Sequence, residues 1–424
     1  MYTQKLIDFI NSSPSAFHTV DTLKKALLAE GFTELSDSSI ESFSDGGKHF
    51  VVRGGTSIIA FKGKGDGFMI CASHSDFPSF KVKKATESQG YLRLAVEPYG
   101  GMINYSWLDR PLSVAGRVMT REGNNILPHL VNITNPFAVI PSVAIHLNRT
   151  VNDSCSFKPN VDMLPLVACS GSKASFLEAV AESAGISAED IISYDLYLYN
   201  AESGVPFGIN GELILAPRID DLACVYSSLE AFLSAPEQSN SVSVLAVFDN
   251  EEVGSLSRQG ADSTFLYDTL RCIAASDEKY RKMLYNGFMI SADNAHARHP
   301  NHPELADSVS APTLGGGVVV KYNANKRYVT EACSDAIFRI IADNAGAKLQ
   351  SYANRPDQMG GTTLGAIAGT HVSITTVDTG LPQLAMHSST EVIAVSDLID
   401  MVKILSEFYS CGIVKTDEKI EIIK

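Results

Sequence analysis

The chain has 424 residues, 45% hydrophobic and 19% charged, which supports a sizeable core and leaves room for two domains. Its formal net charge of -14 at pH 7 argues against nucleic acid or an anionic membrane as partner, since both require a basic face. No run approaches the roughly 18 apolar residues of a membrane span, and no basic stretch followed by an apolar one opens the chain. The seven cysteines form no C-x-x-C pair and read as reduced, buried small hydrophobes. These features predict a cytoplasmic protein.

In chain order, Ser13-Pro14-Ser15 reads as a helix start, with Phe17, Val20, Leu23 and Leu27 on one face and Gly31 as the stop. Strands are predicted at Ser57–Phe61 and Phe68–Ala72. From about residue 85 to 215 the texture turns β-rich, with alternation in Tyr91–Val96 and turns of Gly, Asn and Pro. A helix follows Asp220, carrying Leu222, Val225, Tyr226, Leu229 and Leu233. Continuous apolar runs at Val242–Phe248, Phe288–Ala292, Val318–Tyr322 and Val372–Val377 read as strands buried on both faces. Helices are predicted near 332–346 and 390–410. The pattern implies an α/β fold, a mixed sheet flanked by helices with a β-rich domain (85–215) inserted between residues 1–84 and 216–424. Ligands in such sheets gather beyond the carboxyl ends of the strands.

Five segments end in residues suited to metal: Ser73-His74-Ser75-Asp76, Arg218-Ile219-Asp220-Asp221, Asp249-Asn250-Glu251-Glu252, Ser291-Ala292-Asp293 and Ala385-Met386-His387. His74 and Asp76 lie two apart in an extended stretch, so Asp76 is placed to hold the imidazole's second nitrogen. Asp220 and Asp221 open a helix, where one acid would suffice as a cap. Three acids after a buried strand repel one another in a dry setting unless cations sit nearby. One Glu can then bind metal while its neighbour faces the attacking water as general base. Taken singly, each segment reads as well as a cap, a surface turn or a structural histidine. Taken together they point to a metal-dependent hydrolase. Two divalent ions would balance three carboxylates and a hydroxide, and the His and carboxylate donors suit zinc, with cobalt or manganese as alternatives.

Lys321 sits inside an apolar strand, where a lone ammonium is costly. It is either a partner for an acidic substrate group or half of a structural ion pair. Gly360-Gly361-Thr362-Thr363 lacks the lysine of a phosphate loop and reads instead as a helix start whose N–H groups could face a substrate.

The residues quoted above lie in motifs through which the chain resembles the aspartyl aminopeptidase family of dinuclear zinc aminopeptidases. The motifs are SHSDFPSFKVK (73–83), APRIDDL (216–222), FDNEEVGS (248–255), ISADNAHARHPN (290–301), KYNANKRY (321–328), GGTTLG (360–365) and LPQLAMHSSTE (381–391). The resemblance implies metal ligands at His74, Asp220 (bridging), Glu252, Asp293 and His387, with Glu251 as general base beside Asp76. It implies a zinc-exopeptidase fold, a dimerisation or lid role for the inserted domain, and assembly into dodecamers. It further implies His146 reaching a neighbour's active site, and Lys321 and His299 lining the substrate pocket. The substrates implied are short peptides with a free N-terminus, losing Asp or Glu through a metal-bridged hydroxide. Asp221 departs from the family's usual Asn, and the run 355–361 departs from its commonest form. Neutral N-terminal residues therefore stay open as substrates. The other readings are a related co-catalytic amidohydrolase and a non-catalytic assembly shell.

Overall fold

A computed structural model describes residues 2–38, 46–172, 175–358 and 360–424. Met359, within the divergent run, lies outside them. Two helices open the chain, Tyr2–Asn11 (α1) and Ala16–Ala29 (α2). The first strands are Thr33–Leu35 (β1), His49–Arg53 (β2), Ser57–Lys64 (β3) and Phe68–His74 (β4).

A second set of strands follows: Ser79–Ser88 (β5), Tyr91–Tyr99 (β6), Leu112–Glu122 (β7), Asn125–Asn132 (β8), Leu166–Cys169 (β9) and Ile191–Asn200 (β10). They form a six-stranded sheet in the order β8-β7-β10-β5-β6-β9. A short helix Pro159–Asp162 (α3) and the longer Phe176–Ala184 (α4) accompany it. Its core is its own, built on Phe80, Trp107, Val114 and Leu196. β5 crosses the border expected at residue 84. At the other end, Val205–Phe207 (β11) and Leu213–Ala216 (β12) belong to a different sheet. As the sheets group the chain, the β-rich unit therefore runs from Ser79 to Asn200.

The remaining elements are Ile219–Ser234 (α5), Ser241–Phe248 (β13), Phe265–Ala274 (α6), Asp277–Tyr285 (α7), Phe288–Ala292 (β14), Ala295–His296 (β15), Val318–Tyr322 (β16), Ala332–Asn344 (α8) and Leu349–Ala353 (β17). Leu364–His371 (α9), Thr376–Gly380 (β18), Pro382–Gln383 (β19), Glu391–Ala394 (β20) and Val395–Tyr409 (α10) complete the site-bearing part, before a hairpin of Gly412–Lys415 (β21) and Ile420–Ile423 (β22). Among the described residues the large sheet has nine strands in the order β1-β2-β3-β13-β4-β14-β18-β16-β17. Its centre, β13-β4-β14-β18, is parallel.

Alternation of side chains along each strand sends neighbours to opposite faces. Met69 and Cys71 of β4 pack into a core with α1, α2, α5, α8 and α10. Phe68, Ile70 and Ala72 pack with α6, α7 and α9. Helices thus cover both faces, which is why these strands read as unbroken apolar runs. Among the described residues no helix is long and apolar enough to cross a membrane.

Several element predictions need correction. The strand expected at 372–377 lies at Thr376–Gly380, because Val372 ends α9 by donating its N–H to Ala368. Its buried Asp378 and Thr379 disguised it; Asp378 accepts from Thr363 Oγ1 and from the Val329 N–H. The helix expected from 390 begins at Val395, after a strand that pairs Glu391 with Ala216. Helix α1 went unread. All seven cysteines are free as expected, but Cys155, Cys169 and Cys333 are exposed rather than buried.

Candidate metal centre

The carboxyl ends of the parallel strands deliver the chemistry. β4 ends on His74, β13 runs into the turn carrying Glu251 and Glu252, and β14 stops just before Asp293. Gly380 in β18 makes room for this edge: a Cβ there would lie 1.8 Å from the Asp293 carbonyl oxygen. Asp220 and Asp221 were expected to open a helix, but both have non-helical backbone and regular winding begins after them. His387 sits in a left-handed turn (φ 66°) before β20.

The structure gathers these residues into three overlapping groups: His74, Asp220, Asp221 and Asp293; His74, Glu251 and Glu252; Asp220, Glu252 and His387. Within each, one potential ligand atom per residue lies within 4.8 Å of the others. Asp220 joins the first group to the third. Its Oδ1 faces His74 Nε2 at 3.7 Å and its Oδ2 faces His387 Nε2 at 3.5 Å. Glu252 Oε2 lies 3.4 Å from the same His387 nitrogen.

The other nitrogen of each imidazole is already engaged. His74 Nδ1 donates to the Asp76 carbonyl at 3.0 Å, and His387 Nδ1 donates to the Gly101 carbonyl at 2.6 Å. A carbonyl can only accept, so each Nδ1 carries the proton and each neutral ring turns a lone pair on Nε2 toward Asp220. Lone pairs facing carboxylate oxygens are stable only around a cation or an added proton. Among the described residues, Asp220 Oδ1, Asp221 Oδ1 and Glu252 Oε1 are moreover buried with no hydrogen-bond partner. Such orphans are costly in a folded chain. The donor set and the orphaned oxygens fit divalent metal.

Electrostatics agree. Burial opposes charge on both imidazoles, yet nearby acids win: Asp221, Asp220 and Asp76 hold His74 well above its ordinary value, while Asp220 and Glu252 raise His387 to about 10. Burial pushes Glu251 up to about 8, helped by Asp293, Asp76 and Asp220 against the pull of His74. Burial also lifts the Asp221 carboxyl well above the carboxylate range, which works against the extra negative charge expected there. The acids that raise both imidazoles are the same groups that would attract a cation.

Asp76 holds the second nitrogen of His74, as its place in the sequence suggested. Its backbone, rather than its side chain, makes the close contact with His74 Nδ1; its Oδ1 lies farther off at 3.4 Å. The carboxylate instead accepts from the Glu251 N–H (3.1 Å), the Glu252 N–H (3.2 Å) and Tyr99 Oη–H (2.7 Å). It positions the acidic turn. Lys321, buried in β16, has its Nζ 3.4 Å from Asp293 Oδ1 and over the Tyr328 ring. Burial opposes its charge, but Asp293 together with Tyr328, Asp378 and Asp220 raises it above its ordinary value. His299 lines a cavity of about 280 Å³ with His296, His302, Tyr352 and Arg355. His146 is in an exposed turn of the β-rich unit, outside the metal groups.

Sequence reasoning missed Tyr99, Gly101 and Glu391. Glu391 is buried and accepts from the Asp220 and His387 N–H groups. Its signal was its place four residues after His387.

A family model described as Aminopeptidase I zinc metalloprotease (M18) matches residues 9–409. The chain is 41% identical over 427 residues to a "Probable M18 family aminopeptidase 2" of Clostridium acetobutylicum, covering 96% of this chain and 98% of the relative. It is 36% identical to the protein of that name from Pseudomonas savastanoi, covering 96% and 97%. Among solved structures it matches a chain of the Ape4 and Nbr1 complex at TM-score 0.93 and 33% identity, covering 96% of this chain and 85% of that one. It matches the S. cerevisiae mApe1 dodecamer at TM-score 0.84 and 28% identity, covering 96% of each chain. With ligand-type residues converging at the strand ends and similarity running nearly end to end, the chain belongs to the M18 family of zinc metallo-aminopeptidases.

Proposed function

We propose that this aminopeptidase works with two ions, one held by His74, Asp220 and Asp293 and the other by Asp220, Glu252 and His387. The observation that carries this reading is the Asp220 carboxylate, one oxygen turned toward each imidazole Nε2. Zinc is the ion of choice, with cobalt or manganese suiting the same donors. Bound there, it would supply Lewis acidity and ready deprotonation of water. Glu251 groups with His74 and Glu252 but lies outside the two sets assigned to the ions, which leaves it as the free carboxylate. Its role is to take a proton from the attacking water and pass it to the departing amine.

Short peptides with a free N-terminus are the substrates, and Asp or Glu the preferred first residue. Lys321 supports an acidic preference: with Asp293 engaged by an ion, its buried ammonium is left to meet a substrate carboxylate. His299 and the cavity around it would receive the peptide. The second reading, a neutral first residue, draws on the same Lys321, whose charge already faces Asp293 at 3.4 Å. The β-rich unit from Ser79 to Asn200 serves as an assembly domain, building dodecamers like that named for the yeast relative, with exposed His146 reaching a neighbouring subunit's site. The enzyme would act in the cytoplasm.

Purified protein should be assayed with metal on peptides beginning with Asp, Glu, Leu or Ala, each paired with an N-acetylated control. Glu251→Gln should keep its metal but lose turnover by about 10²–10⁴-fold. Normal turnover in that variant, or cleavage of acetylated peptides, would overturn the proposal.

A further inference from the structure

Glu391 is buried, and its two oxygens serve two distant segments of the chain. Oε2 accepts from the Asp220 N–H at 3.0 Å, and Oε1 accepts from the His387 N–H at 2.7 Å. Glu391 belongs to none of the metal-binding groups. Both residues it holds have backbones that regular structure does not dictate. Asp220 is non-helical at the head of α5, and His387 has a positive φ that a residue with a side chain adopts at a cost. Something must hold them there.

We propose that Glu391 is a positioning residue that sets the ion position of His387 and Glu252 against the one of His74 and Asp293, by clamping the backbones of Asp220 and His387. A carboxylate is planar and rigid, so two N–H donors bound to its two oxygens are held at one separation. The clamp is itself fixed, because Glu391 pairs with Ala216 in the β12–β20 ladder and β12 leads through Pro217 and Arg218 into Asp220. Arg218 anchors that turn, donating to the Asn200 and Ile10 carbonyls. On the other side, His387 is held by Gly101 through its ring and by the Ile103 N–H through its carbonyl. His74 and Asp293 come off the ends of β4 and β14 in the central sheet, and Glu391 touches neither. Loss of the clamp should therefore reach the two ions unequally.

The inference rests on the two-ion reading, and the experiment separates them. Metal-free wild type and Glu391→Gln are equilibrated against buffered free Zn²⁺, bound zinc is counted by mass spectrometry, and folding is followed by circular dichroism. Glutamine has nearly the same shape, but its amide nitrogen cannot accept a hydrogen bond, so one backbone N–H loses its partner. Wild type should take up two ions per chain. The variant should lose little affinity for the first ion, which shares only Asp220 with the clamp, and bind the second about tenfold to a hundredfold more weakly, the usual range for the support of a metal ligand. Two affinities weakened by the same factor, or neither weakened, would overturn the clamp. One ion per wild-type chain would overturn the two-ion reading itself. If the variant does not fold, Glu391→Asp, too short to meet both amides, goes through the same titration and is judged by the same unequal loss.

Discussion

The acidic turn after β13 hangs on one carboxylate, which makes Asp76→Asn an informative perturbation. Asp76 Oδ2 accepts from Tyr99 and the Glu252 N–H, and Oδ1 accepts from the Glu251 N–H. Asparagine keeps one accepting oxygen. Placed at the Oδ2 position it saves two bonds and sets an NH₂ against the Glu251 N–H; placed the other way it saves one. The cheaper choice loses a single hydrogen bond to a charged group, about 1.5–3 kcal/mol. Transmitted fully to the transition state, that lowers kcat by about 10- to 150-fold. KM should change little, because the carboxylate grips the backbone of the turn. Steady-state kinetics with metal content measured in parallel is the assay, and Tyr99→Phe is the comparison that removes a neutral hydroxyl, which donates to Asp76 and accepts from Asn250 Nδ2, and leaves the carboxylate in place. A kcat within twofold of wild type, with metal retained, would refute the idea that Asp76 holds the turn.

Three further outcomes are expected. Lys321→Met should reduce cleavage of peptides beginning with Asp or Glu far more than of those beginning with Leu or Ala; equal losses would assign Lys321 to its pair with Asp293 alone. Chelation should lower the unfolding temperature reversibly, since the orphaned Asp220 and Glu252 oxygens lose their partners; zinc at a hundred times its Kd restores about 2.7 kcal/mol per site, and a melt indifferent to zinc would contradict the metal assignment. Burial lowers His18 from 6.5 to about 4, although Asp21 pulls the other way. Between those values the unfolded chain binds a proton that the folded chain does not, so stability rises with pH through this window, by about 3 kcal/mol in all. Urea unfolding of His18→Gln at pH 4.5 and 7 should show a flatter pH dependence than wild type, and an unchanged slope would exclude His18 as the cause.

Several of the candidate metal-site residues stood out in the chain because they follow runs whose composition is dictated by burial. β13 and β14 carry unbroken apolar sequence, and the acids just beyond them stand out against it. Where polar side chains are satisfied inside the fold, the signal fails. Asp378 and Thr379 find partners in Thr363, Val329 and Val319, so β18 was placed too early. Glu391 looked like one more acid in a loop, since its place four residues after His387 does not reveal that its other oxygen faces the Asp220 amide far away in sequence. Asp76 meets His74 through its backbone carbonyl, while the fold gives its carboxylate to the acidic turn, a partnership no local pattern reveals.

The sequence by itself determined the donor types, their order, and the alternation of buried strands with helices, because side-chain chemistry and apolar periodicity are local properties. Tertiary structure decided which oxygens face which nitrogens, that Gly101 of the β-rich unit orients His387, and that one buried carboxylate spans Asp220 and His387. Those depend on strand register and on irregular turns, where hydrogen bonds between distant segments outweigh local preference.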